Sequence, residues 1–203
     1  MNFFRKKIAP RQGSGDEARL TPDMRMKTND TDLALAAAGG DADAFSALIA
    51  RRYDGLFALC FRLSGTQADA EDLTQDICAA LPAKLRSFKG DAAFTTWLYR
   101  IAVNAMHDRR RKQATHARAA QGWGDWEVNR QATIAEAQDQ ADWLTNAMRS
   151  LPDDLRDTLA LILDDMTHKD AGDVLGVSEA TISWRISPAK KHLAQMREME
   201  GDA

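Results

Sequence analysis

Apolar residues recur at three- and four-residue steps along most of this chain, which is the spacing of one face of an α-helix. The clearest stripe begins after Asp41 and ends at Gly65, a residue suited to the left-handed backbone that closes a helix. The pattern predicts a long amphipathic helix between these two residues. Its apolar members are Phe45, Leu48, Ile49, Tyr53, Leu56, Phe57, Cys60 and Leu63.

Two more helices are predicted in the same half of the chain. One begins near Asp69, which can cap it, and Pro82 should kink it. The other is capped by Thr95 or Thr96 and ends in the basic run 109–112, a favourable charge for a helix C-terminus. Their inward residues are Leu73, Ile77, Leu81 and Leu85 in the first, and Trp97, Leu98, Ile101 and Ala105 in the second.

Four helices are predicted in the C-terminal part. The first spans about 134–150, and the next has Pro152 as its first helical residue. The third is capped by Thr167 and stopped by Gly176, and Ser178 caps the fourth. Two helices joined by so tight a turn indicate a helix-turn-helix, although a plain αα-hairpin uses similar capping.

These elements predict an all-α protein of two small helical domains joined by a flexible linker. Residues 1–40 show little periodicity and are expected to form a mobile tail. The first domain then spans 41–112, the linker 113–132 and the second domain 133–198. An extended linker of this length would let the domains act on separate turns of a duplex without touching.

The formal net charge of −3 does not indicate a nucleic-acid binder, but its distribution changes the picture. Residues 69–76 carry four acids and no base, whereas residues 100–112 carry five bases and one acid. Residues 153–173 are acidic again, and residues 185–197 are basic without an acid. Such alternation suits a chain that meets a phosphate backbone with some faces and a basic protein partner with others.

Other chemistry is sparse. No run approaches the roughly 18 to 20 apolar residues that cross a bilayer, and the N-terminus lacks the apolar block of a signal peptide, so a cytoplasmic location is expected. Cys60 and Cys78 lie among apolar helical positions and are expected to be buried, reduced thiols. No spacing of metal ligands is present, so no metal, cofactor or catalytic site is expected.

The strings AEDLTQD (70–76), FTTWLYRIAVN (94–104) and LGVS (175–178) resemble the extracytoplasmic-function class of bacterial RNA polymerase sigma factors, within the sigma-70 family. The resemblance covers about 41–112 and 135–197, which look like the family's regions two and four. It implies a protein that binds core RNA polymerase and directs promoter-specific initiation. Region two would melt the −10 element and region four would read the −35 element.

The same resemblance implies three sets of contact residues. The set that binds the polymerase clamp is Asp69, Glu71, Asp72, Gln75 and Asp76. The set that contacts the −10 element is Phe88, Lys89, Gly90, Asp91, Phe94, Tyr99, Arg100, Asn104, Arg109 and Arg110. The set that contacts the −35 element is Ser178, Glu179, Ala180, Thr181, Ser183, Trp184, Arg185, Lys190 and Lys191.

Pro188 departs from the family pattern, and Trp184 replaces a normally small polar residue. Proline removes one helical hydrogen bond, so we expect a kinked recognition helix whose N-terminal half still reaches the major groove, with weak or unusual −35 binding. The resemblance also implies an anti-sigma factor as partner, with a heterodimer as the resting state.

The residues alone leave three other functions to consider. A sigma-like decoy would bind polymerase or a regulator without directing initiation, if Pro188 spoils DNA reading. A simple helix-turn-helix regulator is disfavoured by the whole of 41–112. A metal-dependent nuclease is suggested only by the aspartates of 153–165, which helical spacing spreads around a helix face and its end.

Overall fold

A computed structural model describes residues 28–120 and 140–201, and every regular element within those ranges is a helix, which confirms the all-α class. Helices α1 to α4 form a first unit and α5 to α8 form a second. Their bounds are α1 Asp30–Ala38, α2 Ala42–Ser64, α3 Gln67–Leu85, α4 Phe94–Ala120, α5 Gln140–Arg149, α6 Asp153–Ile162, α7 His168–Leu175 and α8 Glu179–Gly201.

Helix α1 corrects the expectation that residues 1–40 form a mobile tail. Asn29 caps it by accepting a hydrogen bond from a backbone N–H of the first turn at 2.8 Å. Leu33 and Ala34 are fully buried in the core of the first unit. The sequence signal is weak because alanines form much of the helix, and alanine gives little apolar periodicity. The part of the predicted tail before residue 28 lies outside the described residues.

The ends of α2 and α3 follow local capping rules. Gly65 closes α2 with φ of 80°, as predicted. Helix α3 is capped by Thr66, which corrects the assignment of the cap to Asp69. The Thr66 hydroxyl accepts from the Asp69 N–H at 3.1 Å and donates to its carboxylate at 2.7 Å. These two hydrogen bonds fix the helix start three residues before the predicted one. The helix continues past Pro82 to Leu85.

Helix α4 is longer than predicted at both ends. It begins at Phe94 instead of Thr95 or Thr96, and it continues beyond the basic run to Ala120. The assignment of 113–132 to a flexible linker is therefore wrong for its first eight residues. Alanine, glutamine and arginine in 113–120 favour helix by intrinsic propensity.

The second unit contains the predicted helix-turn-helix. Thr167 caps α7, Gly176 closes it with φ of 68°, and Ser178 accepts from a first-turn N–H of α8 at 3.1 Å, all as predicted. Pro152 precedes the first residue of α6 and is not part of the helix, which corrects its placement. Helix α8 continues through Pro188 to Gly201, and the bend expected at the proline stays a prediction. Positions 134–139 of the preceding predicted helix lie outside the described residues.

The two units pack against each other and share one continuous hydrophobic core, whereas the sequence analysis expects two domains that need not touch. Cys60 and Cys78 are both buried, as expected, and neither is in a disulfide in this structure. Burial raises the pKa of the Cys60 thiol to about 11. None of the helices in the described ranges is long and apolar enough to span a bilayer.

Gly172 gives a direct test of the helix-turn-helix packing. A Cβ at this position would lie 2.7 Å from the Val177 carbonyl oxygen, which belongs to the turn backbone. We expect Gly172→Ala to lower the free energy of unfolding by about 1–3 kcal/mol, since the turn cannot move aside without opening the motif. Urea denaturation followed by circular dichroism measures the change. Lys169→Ala, at an exposed position of the same helix, is the control and should change it by less than about 0.5 kcal/mol. Equal midpoints for the two variants would contradict this packing.

Candidate polymerase and nucleic-acid interfaces

The N-terminal half of α3 presents an acidic face to solvent. Helical spacing places the exposed predicted residues on neighbouring positions of one side. Asp69 is half-buried because it completes the cap with Thr66, and the Asp76 carboxylate accepts from Arg109 at 2.9 Å. The predicted polymerase-binding set therefore lies on one surface, with these two members partly engaged elsewhere. Its exposed members are Glu71, Asp72, Gln75 and Asp76.

The loop before α4 divides the predicted −10 residues into two groups. Phe88 and Phe94 are buried and pack edge to face, with ring centroids 5.7 Å apart. Both rings also contact Trp97, at 5.1 and 5.8 Å. This aromatic cluster belongs to the core, so these two members of the predicted −10 set are not exposed in this arrangement. Lys89 and Asp91 are exposed on the loop, and Gly90 turns it with φ of 78°.

On α4, the second unit covers part of the predicted −10 surface. Tyr99 is 2% exposed, and its hydroxyl donates to the Asp164 carboxylate. Burial and then this hydrogen bond raise the pKa of the Tyr99 phenol above its usual value, so the group stays a donor. Arg100 donates through Nε to the Asp173 carbonyl oxygen at 3.1 Å, while Asn104 remains exposed.

Farther along α4, Arg110 is engaged by a buried carboxylate. Its Nη1 lies 2.9 Å from Oδ1 and 3.2 Å from Oδ2 of Asp157, whose side chain is 3% exposed. The second nitrogen, Nη2, donates to the Leu63 carbonyl oxygen at 2.8 Å. His107 Nε2 is also 2.6 Å from Asp157 Oδ2. The predicted phosphate-binding cation Arg110 is thus occupied by an acid of the other unit.

Sequence reasoning missed four residues of this contact: Arg62, His107, Asp157 and Asp164. Arg62 Nη1 and Nη2 lie 3.2 and 3.3 Å from Asp164 Oδ1. The sequence signal for this contact is the contrast in charge between basic 100–112 and acidic 153–173, which also suits binding to external partners. A cleft of about 470 Å³ lies beside these groups. Residues of both charges line it, including Arg110, Arg111, Asp153 and Asp154.

The N-terminal half of α8 exposes the predicted −35 surface. Trp184, predicted to face the DNA, is 70% exposed, whereas Ile182, on the opposite face of the helix, is fully buried. Arg185 is an exception among the outward residues, because its Nε lies 3.4 Å from the Asp154 carboxylate. The hydroxyl of Ser183 lies 3.0 Å from His168 Nδ1. The other exposed members of the set are Ser178, Glu179, Ala180, Lys190 and Lys191, while Thr181 is half-buried.

Within residues 28–120 and 140–201, no three His, Cys, Asp or Glu side chains come close enough to hold a metal ion. The aspartates of 153–165 that suggested a nuclease are instead engaged in ion pairs with arginines at several positions.

Two family models match the chain. Sigma-70 region 2 matches residues 48–116, and Sigma-70, region 4 matches residues 141–193. The chain is 31% identical over 173 residues to the ECF RNA polymerase sigma factor SigM of Mycobacterium tuberculosis, covering 85% of this chain and 86% of that protein. It is 27% identical to the ECF RNA polymerase sigma factor SigW of Bacillus subtilis, covering 79% and 92%.

Two solved structures are also similar. CnrH, in complex with the cytosolic domain of CnrY, gives a TM-score of 0.62 at 26% identity and covers 86% of this chain and 99% of that one. The sigma factor RpoE, in complex with the anti-sigma factor NepR from Bartonella quintana, gives a TM-score of 0.63 at 26% identity and covers 76% and 96%.

The two faces of α8 differ in what they contribute to stability. Ile182→Ala should lower the free energy of unfolding by about 2–4 kcal/mol, because it leaves a cavity in the core. Trp184→Ala should change it by less than about 0.5 kcal/mol, because the ring lies mostly in solvent. Denaturant titration of the two variants checks both values. A large loss for Trp184→Ala would show that the ring packs against the protein, and its assignment to the DNA face would then be wrong.

Proposed function

This chain belongs to the ECF RNA polymerase sigma factors of the sigma-70 family, and from that membership we propose how its two units divide the work of initiation. The protein binds core RNA polymerase and directs promoter-specific transcription initiation. In our proposal the first unit docks on the polymerase and opens the −10 element, and the second unit reads the −35 element. One observation carries this division: a single chain displays an acidic face on α3 and an exposed recognition face on α8.

The acidic face suits docking on a basic surface of the polymerase. Opposite charges speed and orient the encounter more than they add net affinity. Glu71, Asp72 and Gln75 are the best candidates. Asp69 is held in the cap and Asp76 is paired with Arg109, whereas Glu71 accepts from Gln67, an exposed residue of its own helix.

The exposed residues of the loop and of α4 are the candidates for the opened −10 strand. Lys89 supplies a cation, and Asn104 supplies polar groups for a base edge. Opening a duplex by trapping extruded bases draws on binding free energy and needs no nucleotide hydrolysis. Tyr99 and Arg110 would join this surface only after the second unit moves away, whereas Arg100 is exposed even though it donates to the Asp173 carbonyl oxygen.

Helix α8 enters the major groove with its N-terminal half in the proposed −35 complex. Trp184 offers an apolar surface for a thymine methyl group, and Lys190 and Lys191 reach toward phosphates. The decoy alternative arose from Pro188, but α8 continues through that residue, so no observation in the described ranges favours it. Sigma factors are non-catalytic, and we propose no reaction for this chain.

An anti-sigma factor is the proposed regulatory partner. A similar structure, RpoE of Bartonella quintana, was solved with the anti-sigma factor NepR. We infer that the resting form is a cytoplasmic heterodimer. Gel filtration of the protein taken from its native cell tests this. Recovery of the monomer alone would contradict it.

Reconstituted transcription tests the proposed function. Core polymerase with the protein, on fragmented genomic DNA, should initiate at a small set of sites that share upstream elements, as shown by sequencing the transcript 5′ ends. Core polymerase alone should not use those sites. Association with core but no specific transcript would support a decoy, and no association would overturn the proposal altogether.

Charge reversal on α3 should weaken polymerase binding. We expect Glu71→Lys/Asp72→Lys to raise the Kd for core at least about tenfold, which corresponds to about 1.4 kcal/mol. Asp54→Lys/Glu198→Lys makes the same change of net charge at exposed positions elsewhere and should shift the Kd by less than about twofold. Fluorescence anisotropy measures both. Similar losses for the two variants would show that only net charge matters and would contradict docking through α3.

Two substitutions on α8 should separate reading from anchoring. Arg185→Ala should lower discrimination at one −35 base pair by about 1–3 kcal/mol, because a guanidinium can pair with guanine bidentately. Lys191→Ala should weaken all promoter sequences about equally, because it meets phosphate. Competition among −35 variants in holoenzyme binding measures the difference. A uniform loss for Arg185→Ala would remove it from the base-reading set.

A further inference from the structure

The exposed face of α8 carries a hydroxyl that is held by the preceding helix. Ser183 Oγ lies 3.0 Å from Nδ1 of His168, the first residue of α7. Within residues 28–120 and 140–201, the Ser183 side chain has no other hydrogen bond. Ser183 is exposed and belongs to the predicted −35 set, whereas His168 is half-buried and belongs to none of the predicted sets. The contact therefore joins an unassigned residue to a predicted base reader.

The Ser183 hydroxyl differs from other hydroxyls on the helices of this protein. Ser46, Thr115 and Thr158 each donate to the carbonyl oxygen four residues earlier, at 2.9, 2.9 and 2.8 Å. That bond is common for serine and threonine in helices, and it turns the hydroxyl proton toward the helix backbone. Ser183 makes no such bond in the described ranges, and its partner is a ring nitrogen of another helix. Helix α7 thus sets the direction of this hydroxyl.

The first helix of the motif is rigid enough to hold the ring in place. The Thr167 hydroxyl accepts from the Asp170 N–H at 3.1 Å and donates to its carboxylate at 2.6 Å, which fixes the turn that contains His168. Gly172 lies so close to the following turn that a Cβ there would be 2.7 Å from the Val177 carbonyl oxygen. Recognition is precise when its groups are fixed by packing and by supporting hydrogen bonds on regular elements. The imidazole and the hydroxyl meet that requirement.

We propose that His168 is a positioning residue that makes the Ser183 hydroxyl a hydrogen-bond acceptor in the major groove. A neutral imidazole with its proton on Nε2 accepts at Nδ1, so the hydroxyl donates its single proton to the ring and keeps lone pairs for DNA. The groups that donate in the major groove are the amino groups of adenine and cytosine, whereas guanine O6 and thymine O4 accept. The inference rests on the proposed function, which places α8 in the groove of the −35 element. The pair then selects A or C over G or T at one position of one strand.

Holoenzyme binding to −35 variants tests the inference. The probe is a promoter fragment found by the transcript sequencing above, with each −35 base pair replaced in turn by the other three. Wild-type holoenzyme should prefer A or C over G or T about fivefold at one position, because one hydrogen bond separates the two classes. Ser183→Ala and His168→Phe should each lower this ratio to less than about twofold and keep the preferences at other positions.

Two more variants separate positioning from a structural role. His168→Phe/Ser183→Ala should lose no more of the preference than either single variant, because the ring acts through the hydroxyl. His168→Asn should keep the preference, since its carbonyl oxygen can accept in place of Nδ1.

The second unit also offers a matched control. His192 Nε2 lies 2.9 Å from Ser150 Oγ, which is the same kind of contact in the C-terminal half of α8. His192→Phe removes that contact and should leave every −35 preference within about twofold of the wild-type value, because it is remote from the proposed reading face.

Three outcomes overturn the inference. The first is a preference for G or T at the position that Ser183→Ala affects, since the hydroxyl would then be a donor. The second is a loss for His168→Phe that is equal at all positions, and the third is additive losses in the double variant. Circular dichroism verifies folding, and if His168→Phe is unfolded, Ser183→Ala must still lose the preference and His168→Asn must still keep it.

Failure of the inference and failure of the proposed function give different results. In each of the three outcomes the wild-type holoenzyme still selects its promoter, so the sigma function stands. A wild-type holoenzyme that shows no preference at any −35 position would instead overturn the proposed reading of that element by α8.

Discussion

A buried carboxylate constrains how the two halves of this protein sit together. Asp157 is 2% exposed, and an acid so far from water is stable only beside groups that satisfy its charge. Arg110 and His107 of α4 provide them, which fixes α6 against the first unit. With α6 in place, Asp164 at its C-terminal end meets Arg62 and Tyr99. This pairing of acids with a basic helix, together with the shared hydrophobic core, sets the closed arrangement of the two units.

The closed arrangement treats the three predicted contact surfaces differently. The acidic face of α3 and the N-terminal half of α8 stay open to solvent, whereas much of the α4 surface is covered. A polymerase could therefore engage α3 before any DNA reaches Tyr99 or Arg110. The basic and acidic segments, whose charges suit external partners, thus also form ion pairs with each other within the chain. Acids of the second unit neutralise bases of the first where the two units meet.

Local rules accounted for the ends of several helices, because capping depends on a few neighbouring residues. Gly65, Thr167, Gly176 and Ser178 each act as the sequence indicates. Features set by distant contacts were harder to predict. The alanines of α1 show their burial only when α2 packs over them, and Phe88 lies in a loop yet inserts its ring beside Phe94. The pairing of Asp157 with Arg110 joins residues 47 positions apart, and periodicity carries no information about such a contact.

The central claim is that one chain exists in a closed form and opens when it joins polymerase. Energy transfer between fluorophores at the exposed positions Arg86 and Arg197 measures this directly in the full-length protein. The account predicts a clear change in transfer efficiency as core polymerase is added, with a midpoint at the Kd for core. Equal efficiency before and after saturation with core would contradict it.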